Sequence, residues 1–213
     1  PPTALSTLGL YYRDMRFLSG FVLRLQGTAP PLLSVEDHGY AATLTYDAVG
    51  ATERGTDVPA RVLLRRRRFI SPPGQGQQSL PALHERITIA AYEREPLDLD
   101  LELDLAADFR DMFTVRGFIS IEPGAYAPVA QPASEQVVLG YTGRDGVIRQ
   151  TACHFQPAPT AVTVSDAGSI PGASVRFALQ LPPQQPVVVD VAIRLLSGDV
   201  TPLERPVSPS EPF

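Results

Sequence analysis

The sequence predicts an all-β protein: a large antiparallel β-sandwich with at most one or two short helical turns. Three observations predict it. Leu97-Asp98-Leu99-Asp100-Leu101-Glu102-Leu103-Asp104-Leu105 alternates without a break. A strand places such leucines on one face and the acids on the other, whereas a helix scatters both sets. The chain also spreads 22 prolines and 16 glycines between its apolar runs, the punctuation of many strands joined by turns. Finally, neither an internal repeat nor a strand–helix–strand rhythm is present, so a parallel sheet has no support.

The same two-residue period marks strands over 21–25, 41–46, 87–91, 147–155, 175–181 and 187–195. Turn formers separate them: Ser71-Pro72-Pro73-Gly74-Gln75-Gly76, the Ala/Pro stretch 123–133, and Pro182-Pro183-Gln184-Gln185-Pro186. Gly143-Arg144-Asp145-Gly146 reads as a hairpin turn, with Asp-Gly supplying positive φ angles. The helical candidate is 106–113, where Asp108-Phe109-Arg110-Asp111-Met112-Phe113 makes one or two turns. Residues 1–200 are expected to form one domain. The tail 201–213, with Pro202, Pro206, Pro209 and Pro212, reads as a semi-extended linker toward a further domain.

A chain of 213 residues buries roughly 70% of the surface its unfolded form exposes, so no covalent staple is needed. No apolar run approaches the ~20 residues of a membrane helix, and no secretion signal is visible. The lone Cys153 forms no internal disulfide, consistent with a reducing, cytoplasmic setting. Lys, Asn and Trp are missing and all 18 basic residues are Arg, a pattern of GC-rich coding that lowers the meaning of any single arginine. The net charge of −5 argues against nucleic-acid binding, which is driven by phosphate neutralisation. In a strand, Arg65-Arg66-Arg67-Arg68 sends alternate side chains to opposite faces and pairs with the chain's own carboxylates.

Chemistry-bearing motifs are sparse. His38, His84 and His154 lack ligand spacing, and Cys153 and His154 point to opposite strand faces, so neither a metal nor another cofactor is expected. No nucleophile elbow exists, and Gly74-Gln75-Gly76 lacks the context of a phosphate loop. Acid pairs suited to glycoside hydrolysis (Glu36 with Asp37, Glu93 with Glu95, Asp108 with Asp111) read as solvated charge or local ion pairs. Sugar stacking would fall to the tyrosines, most of which read as core or rim.

The segment Gly9-Leu10-Tyr11-Tyr12-Arg13-Asp14-Met15-Arg16-Phe17-Leu18 stands apart, because it sets two arginines and an aspartate in an aromatic, apolar run. It resembles the Gly-aromatic-aromatic-Arg-Asp-Thr-Arg-x-Leu entry of the N-terminal domain of bacterial amylo-α-1,6-glucosidases, the glycogen debranching enzymes. Met15 stands where that pattern has Thr, so any hydroxyl role there is lost. Four further segments resemble the family in the same order: His84-Glu85-Arg86-Ile87-Thr88-Ile89, Glu93-Arg94-Glu95-Pro96 with the Leu/acid run after it, Asp108-Phe109-Arg110-Asp111-Met112-Phe113-Thr114-Val115-Arg116-Gly117, and Tyr141-Thr142-Gly143-Arg144-Asp145-Gly146. The resemblance covers about residues 9–195. It implies a noncatalytic β-sandwich preceding an (α/α) toroid, whose glycosidase carboxylates lie beyond residue 213.

Under that resemblance, Arg13, Asp14 and Arg16 are expected to form one ion-pair network at an edge of the sandwich, either docking the helical domain or tying down the N-terminal strand. Glu85 with Arg86 and Arg144 with Asp145 are two more candidate contact pairs. The partner is the helical catalytic domain, with α-glucan as a further candidate. Two alternatives remain: a freestanding glucan-binding module and a partner-binding sandwich unrelated to carbohydrate.

Overall fold

The computed structural model describes residues 7–50, 60–71, 81–119, 121–166 and 168–198. Its strands, in chain order, are β1 (Leu10–Tyr12), β2 (Met15–Leu18), β3 (Gly20–Leu25), β4 (Leu32–Asp37), β5 (Ala41–Gly50), β6 (Ala60–Ser71), β7 (Ala82–Ala91) and β8 (Leu97–Ala106). After a single helical turn, α1 (Met112–Val115), come β9 (Ala125–Ala130), β10 (Gln136–Thr142), β11 (Ile148–Gln156), β12 (Ala161–Val164), β13 (Gly172–Leu181) and β14 (Val187–Ser197). Of the described residues, 63% are strand and 2% helix, an all-β sandwich.

Two antiparallel sheets make the layers. One has eight strands in the order β4-β5-β6-β7-β14-β11-β10-β9, the other four in the order β12-β13-β8-β3; β1 and β2 form a separate hairpin. Period-two patterning explains the layering directly. In β8, Leu99, Leu101, Leu103 and Leu105 are buried in the core, while the intervening acids look outward. There, Arg24 pairs with Asp104 and Arg176 with Asp100, across neighbouring strands. The leucines join one apolar cluster with Val175 and Phe177 from the same sheet and Ile87, Ile89, Val191 and Ile193 from the other. Phe155 and Phe177 meet edge to face between the sheets, centroids 6.0 Å apart.

The chain departs from the sequence expectation in three places. The helical turn begins at Met112 rather than at 106, because residues through Ala106 continue the β8 ladder beside Gly172 and Gly20. The stretch 123–133 is not simply loop: it contains β9, an edge strand whose pairing with β10 shifts register between Val138 and Gly140. Pro128 is tolerated there because an edge strand needs only one row of hydrogen bonds. In the 143–146 turn only Gly146 has positive φ, at 75°. Its N–H reaches the Gly143 carbonyl at 3.0 Å while the Gly143 N–H reaches the Val147 carbonyl at 2.9 Å, giving a longer bulged hairpin instead of a two-residue turn. Strands β4 and β12 fall on segments that carry no clear alternation. Of the 71–76 loop only Ser71 lies within the described residues, and it ends β6; the linker 201–213 lies outside them.

Replacing Leu103, fully buried at the centre of β8, by Ala should cost about 2–5 kcal/mol. Asp98→Ala on the outer face of the same strand should stay within about 0.5 kcal/mol of the parent. Urea denaturation of both variants measures the difference.

Candidate functional site

Among the described residues, five that are not glycine hold positive φ: Arg13 (46°), Asp14 (62°), Gln26, Phe109 (48°) and Gln184. Side chains with a Cβ rarely adopt this conformation, which costs on the order of 1–3 kcal/mol and persists only where surrounding contacts fix it. Three of the five meet at one corner, where the β1–β2 hairpin leans on the segment leading into α1.

Tyr12 pairs with Met15, so Arg13 and Asp14 are the two central residues of a tight turn. With both central residues left-handed this is the hairpin turn whose twist matches the strands, and it normally selects Asn, Asp or Gly. Here the hairpin is clamped from the side. The Met112 N–H donates to the Asp14 carbonyl at 2.8 Å, and the Arg16 N–H donates to the Arg110 carbonyl at 2.9 Å. Arg16 is 4% exposed and Asp108 5%. Arg16 holds Asp108 with two bonds, Nε to Oδ1 at 3.0 Å and Nη2 to Oδ2 at 2.5 Å, and gives Nη1 to the Leu8 carbonyl at 3.2 Å. Burial works against the Arg16 charge, but the Asp108 bonds and field outweigh it, so its pKa lies above the ordinary arginine value. Gly9, at φ 156°, crosses directly over this pair. A Cβ on it would sit 2.6 Å from Arg16 Cδ and 2.5 Å from the Leu18 carbonyl, so only glycine fits.

Beneath the pair runs an aromatic prop. Phe109 stacks on Tyr141 with centroids 5.3 Å apart and meets Phe17 edge-on at 5.8 Å. Asp111 then caps α1, accepting the Phe113 and Thr114 N–H groups at 2.9 Å each and the Thr114 hydroxyl. Burial pushes the Asp111 carboxyl up, but those three donors outweigh it and bring the pKa below the ordinary value.

On the outside of this scaffold lies a cleft of about 320 Å³ lined by Tyr11, Tyr12, Arg13, Asp14, Met112 and Arg116. Arg13 and Asp14 are exposed at its rim, and the Arg13 guanidinium rests 5.3 Å over the Tyr12 ring. In α1 and the segment after it, Phe113, Phe118, Ile119 and Ile121 are exposed, Phe118 by 71%.

The expected network of Arg13, Asp14 and Arg16 is therefore split. Arg16 points inward to Asp108, 92 residues away, while Arg13 and Asp14 point outward from the turn. Glu85 and Arg86 do not pair either, because adjacent strand residues face opposite ways. Glu85 is buried against Arg66 (2.6 Å) and Arg68 (2.8 Å, off the hydrogen-bond line), whereas Arg86 grips Asp190 on the outer face at 2.8 and 3.0 Å. Arg144 reaches Glu122 at 3.3 Å, and Asp145 pairs instead with Arg149 at 2.6 and 3.0 Å. Sequence reasoning missed the roles of Asp108, Met112 and Arg116. A buried arginine flanked by Phe17 and Leu18 demands a carboxylate, and Asp108 sits in the one acid-rich segment that follows the leucine strand.

Four of the six acids in the pairs suited to hydrolysis have structural partners: Asp108 is held by Arg16, Asp111 by its helix, Asp37 by the Gly39 N–H at 2.7 Å, and Glu93 by the Arg61 N–H at 3.3 Å. Burial pushes the Cys153 thiol up to about 12, far from nucleophilic use. Among the described residues no three His, Cys, Asp or Glu side chains gather as a metal site, and no helix is long and apolar enough to cross a membrane.

A family model described as the N-terminal domain of (some) glycogen debranching enzymes matches residues 3–192. A search of curated proteins found no match. Among solved structures, a protein assigned as a kojibiose phosphorylase from the human microbiome is similar at 7% identity and TM-score 0.57. The match covers 88% of this chain but 24% of that one, so this chain spans about a quarter of its length. A protein assigned as an aldose 1-epimerase from Escherichia coli K12 shares 8% identity over 78% of this chain and 68% of that one, at TM-score 0.41. One assigned as a mutarotase from Salmonella typhimurium shares 9% over 80% and 65%, at TM-score 0.39. The likeness to the first of these concerns the fold alone.

Removing one partner of the buried pair should be severe. Asp108→Ala leaves the Arg16 charge unmatched and should cost about 3–5 kcal/mol, whereas Arg16→Met with Asp108→Leu should recover most of that loss; chemical denaturation of the three proteins decides. Asp145 gives a pH signature. Its bonds from Arg149 first, and from the Val147 N–H next, bring its pKa from 3.8 to about 2. A depressed carboxylate stabilises the fold above its unfolded pKa and loses that contribution as pH falls through the folded value. The stability gap between the parent and Asp145→Asn should therefore be constant above about pH 4 and close toward pH 2.

Proposed function

The chain belongs to the family of N-terminal domains of glycogen debranching enzymes, and from that premise we propose that it is the noncatalytic N-terminal domain of an amylo-α-1,6-glucosidase-like glycoside hydrolase. In this reading it packs against an (α/α) helical domain that carries the catalytic carboxylates and works in the cytoplasm on α-1,6 branch points.

One observation carries the proposal. The hairpin corner is braced by the buried Arg16–Asp108 pair and by backbone bonds to the segment before α1, yet what it presents outward is exposed: the Arg13–Asp14 tip and the apolar side chains Phe113, Phe118, Ile119 and Ile121. Large apolar side chains grouped on a surface mark a contact site when a polar rim surrounds them. A helical neighbour with an apolar face would cover these apolar side chains and leave the charged tip at the border of its cleft. The engagement of Asp108, Asp111, Asp37 and Glu93 in structural roles supports a noncatalytic part.

Two variants of the full-length enzyme test this. Phe118→Ser and Asp14→Ala should each lower debranching activity by about tenfold, the effect of roughly 1.4 kcal/mol. The 213-residue chain alone should keep its stability within about 0.5 kcal/mol, as surface substitutions do. Unchanged activity in both variants overturns the docking role. Sugar cleavage by the 213-residue chain itself, abolished by changing one of its acids, overturns the noncatalytic reading.

A further inference from the structure

The edge of a sheet is a row of backbone groups without partners, and a fold that leaves one open either blunts it or uses it. Among the described residues, β4 and β9 bound the larger layer and β12 and β3 the smaller. Three of these edges are blunted. β9 carries Pro128 and an irregular register, β12 has only four residues, and no residue of β3 is exposed. β4 differs. All six of its residues are exposed, Leu33 by 60% and Val35 by 56%, and it contains neither proline nor a basic side chain. Its acids, Glu36 and Asp37, stand together at one end.

The bonded side of β4 determines what its free side offers. The His38 N–H donates to the Ala41 carbonyl at 2.9 Å. By the alternation of an antiparallel ladder, Glu36 and Ser34 then also turn their backbone groups to β5, while Asp37 and Val35 turn theirs away. The register shifts between Leu32 and Ser34. Beyond that bulge the Asp47 N–H donates to the Pro31 carbonyl at 3.1 Å, so Leu32 faces outward as well. Leu32, Val35 and Asp37 lie opposite Tyr46, Leu44 and Ala42. Tyr46 and Leu44 in turn lie opposite the buried Leu64 and Arg66, which places all of them on the inner face of the sheet.

We propose that β4 is a self-association edge, through which two copies of this chain pair antiparallel about a two-fold axis and join their eight-stranded sheets into one. The outward groups set the register. Val35 of each copy meets Leu32 of the other as a mutually bonded pair, and each Asp37 N–H reaches the Pro30 carbonyl of the other copy. The two bulges then lie opposite each other, Leu33 beside Ser34, and Leu32 and Val35 of both copies make one apolar row on the inner face. The charges permit this arrangement. Glu36 lies opposite Pro31 and Asp37 opposite Pro30, so no acid opposes an acid, whereas an in-register parallel pairing would set like charges side by side. The contact is isologous and closes on itself, giving a dimer and not a fibre. Because β4 lies at the far end of the sheet from β9 and β10, against which the hairpin corner packs, the pairing neither uses nor requires the docking surface.

Sedimentation velocity of the 213-residue chain tests the pairing. A single pair of edge strands belongs to the small, weak class of protein contacts, so dimer should replace monomer as the concentration passes about 100 µM. Val35→Pro deletes an N–H that β5 does not use, a change edge strands tolerate. Val35→Lys adds the charge with which open edges are commonly blunted. Each should raise the concentration needed for dimer at least about tenfold, while the thermal midpoint of the monomer holds. Oxidative cross-linking tests the register. Leu32→Cys mixed with Val35→Cys should give a linked dimer, because directly opposed residues lie within disulfide reach. Neither variant alone should, because the two copies of either position are separated along the strands. Cys153 is buried and takes no part. Monomer alone up to about 1 mM, a dimer indifferent to both Val35 variants, or cross-linking as fast in one variant as in the mixture each overturns the pairing.

Discussion

The hairpin corner depends on one interaction: the Arg16 guanidinium locked on the Asp108 carboxylate, both buried from solvent. Neither charge is tolerable alone at this depth, since an unpaired buried ion costs several kcal/mol. The pair is therefore a registration device as well as a contact. It fixes the second hairpin strand against the segment that leaves β8, and the Arg16-to-Arg110 and Met112-to-Asp14 backbone bonds follow from that placement. Gly9, Phe109 and Tyr141 then close the surrounding space. A planar fork suits this task because it fixes direction and distance together, which a lysine ammonium would not.

The layers were legible in the sequence because their cause is local. Leu97 to Leu105 alternate, and a strand converts alternation into a buried face whatever its neighbours. The strands of 175–181 and 187–195 are readable for the same reason. Strand β4 is not: all six of its residues are exposed, so no burial imposes a period on it. Nor is β9, where proline and small residues read as loop and only hydrogen bonding along the edge of β10 draws the segment into the sheet.

Charge pairing was legible only as a need, not as a partnership. Asp14 is nearest to Arg16 in sequence, but a two-residue turn sends it outward, and the carboxylate that reaches Arg16 arrives from another element. Glu85 shows the same rule. Its neighbour Arg86 is on the wrong face, and the cross-strand register brings Arg68 opposite it, with Arg66 on the same inner face. Sequence neighbours in a strand diverge, and register, which no local pattern encodes, chooses the partners. The arginine run is thus divided as alternation requires, with Arg66 and Arg68 turned inward to one carboxylate.

This inner cluster is instructive by contrast with the cleft. Arg66 and Arg68 share Glu85, and Arg66 also covers the Phe21 ring at 5.0 Å. The surplus positive charge is spread over an aromatic face, with Arg66 and Glu85 enclosed and Arg68 reaching the surface. At the corner the order is reversed: the paired charges are inside, and the mixed-sign set of Arg13, Asp14 and Arg116 is left facing solvent. Of these two groups, only the second sits on left-handed backbone, at Arg13 and Asp14. A fold that only needed its N-terminal hairpin in place could have used glycine at both turn positions at lower conformational cost. Holding two charged side chains there instead makes sense when what those side chains meet outside the domain matters more than the turn itself.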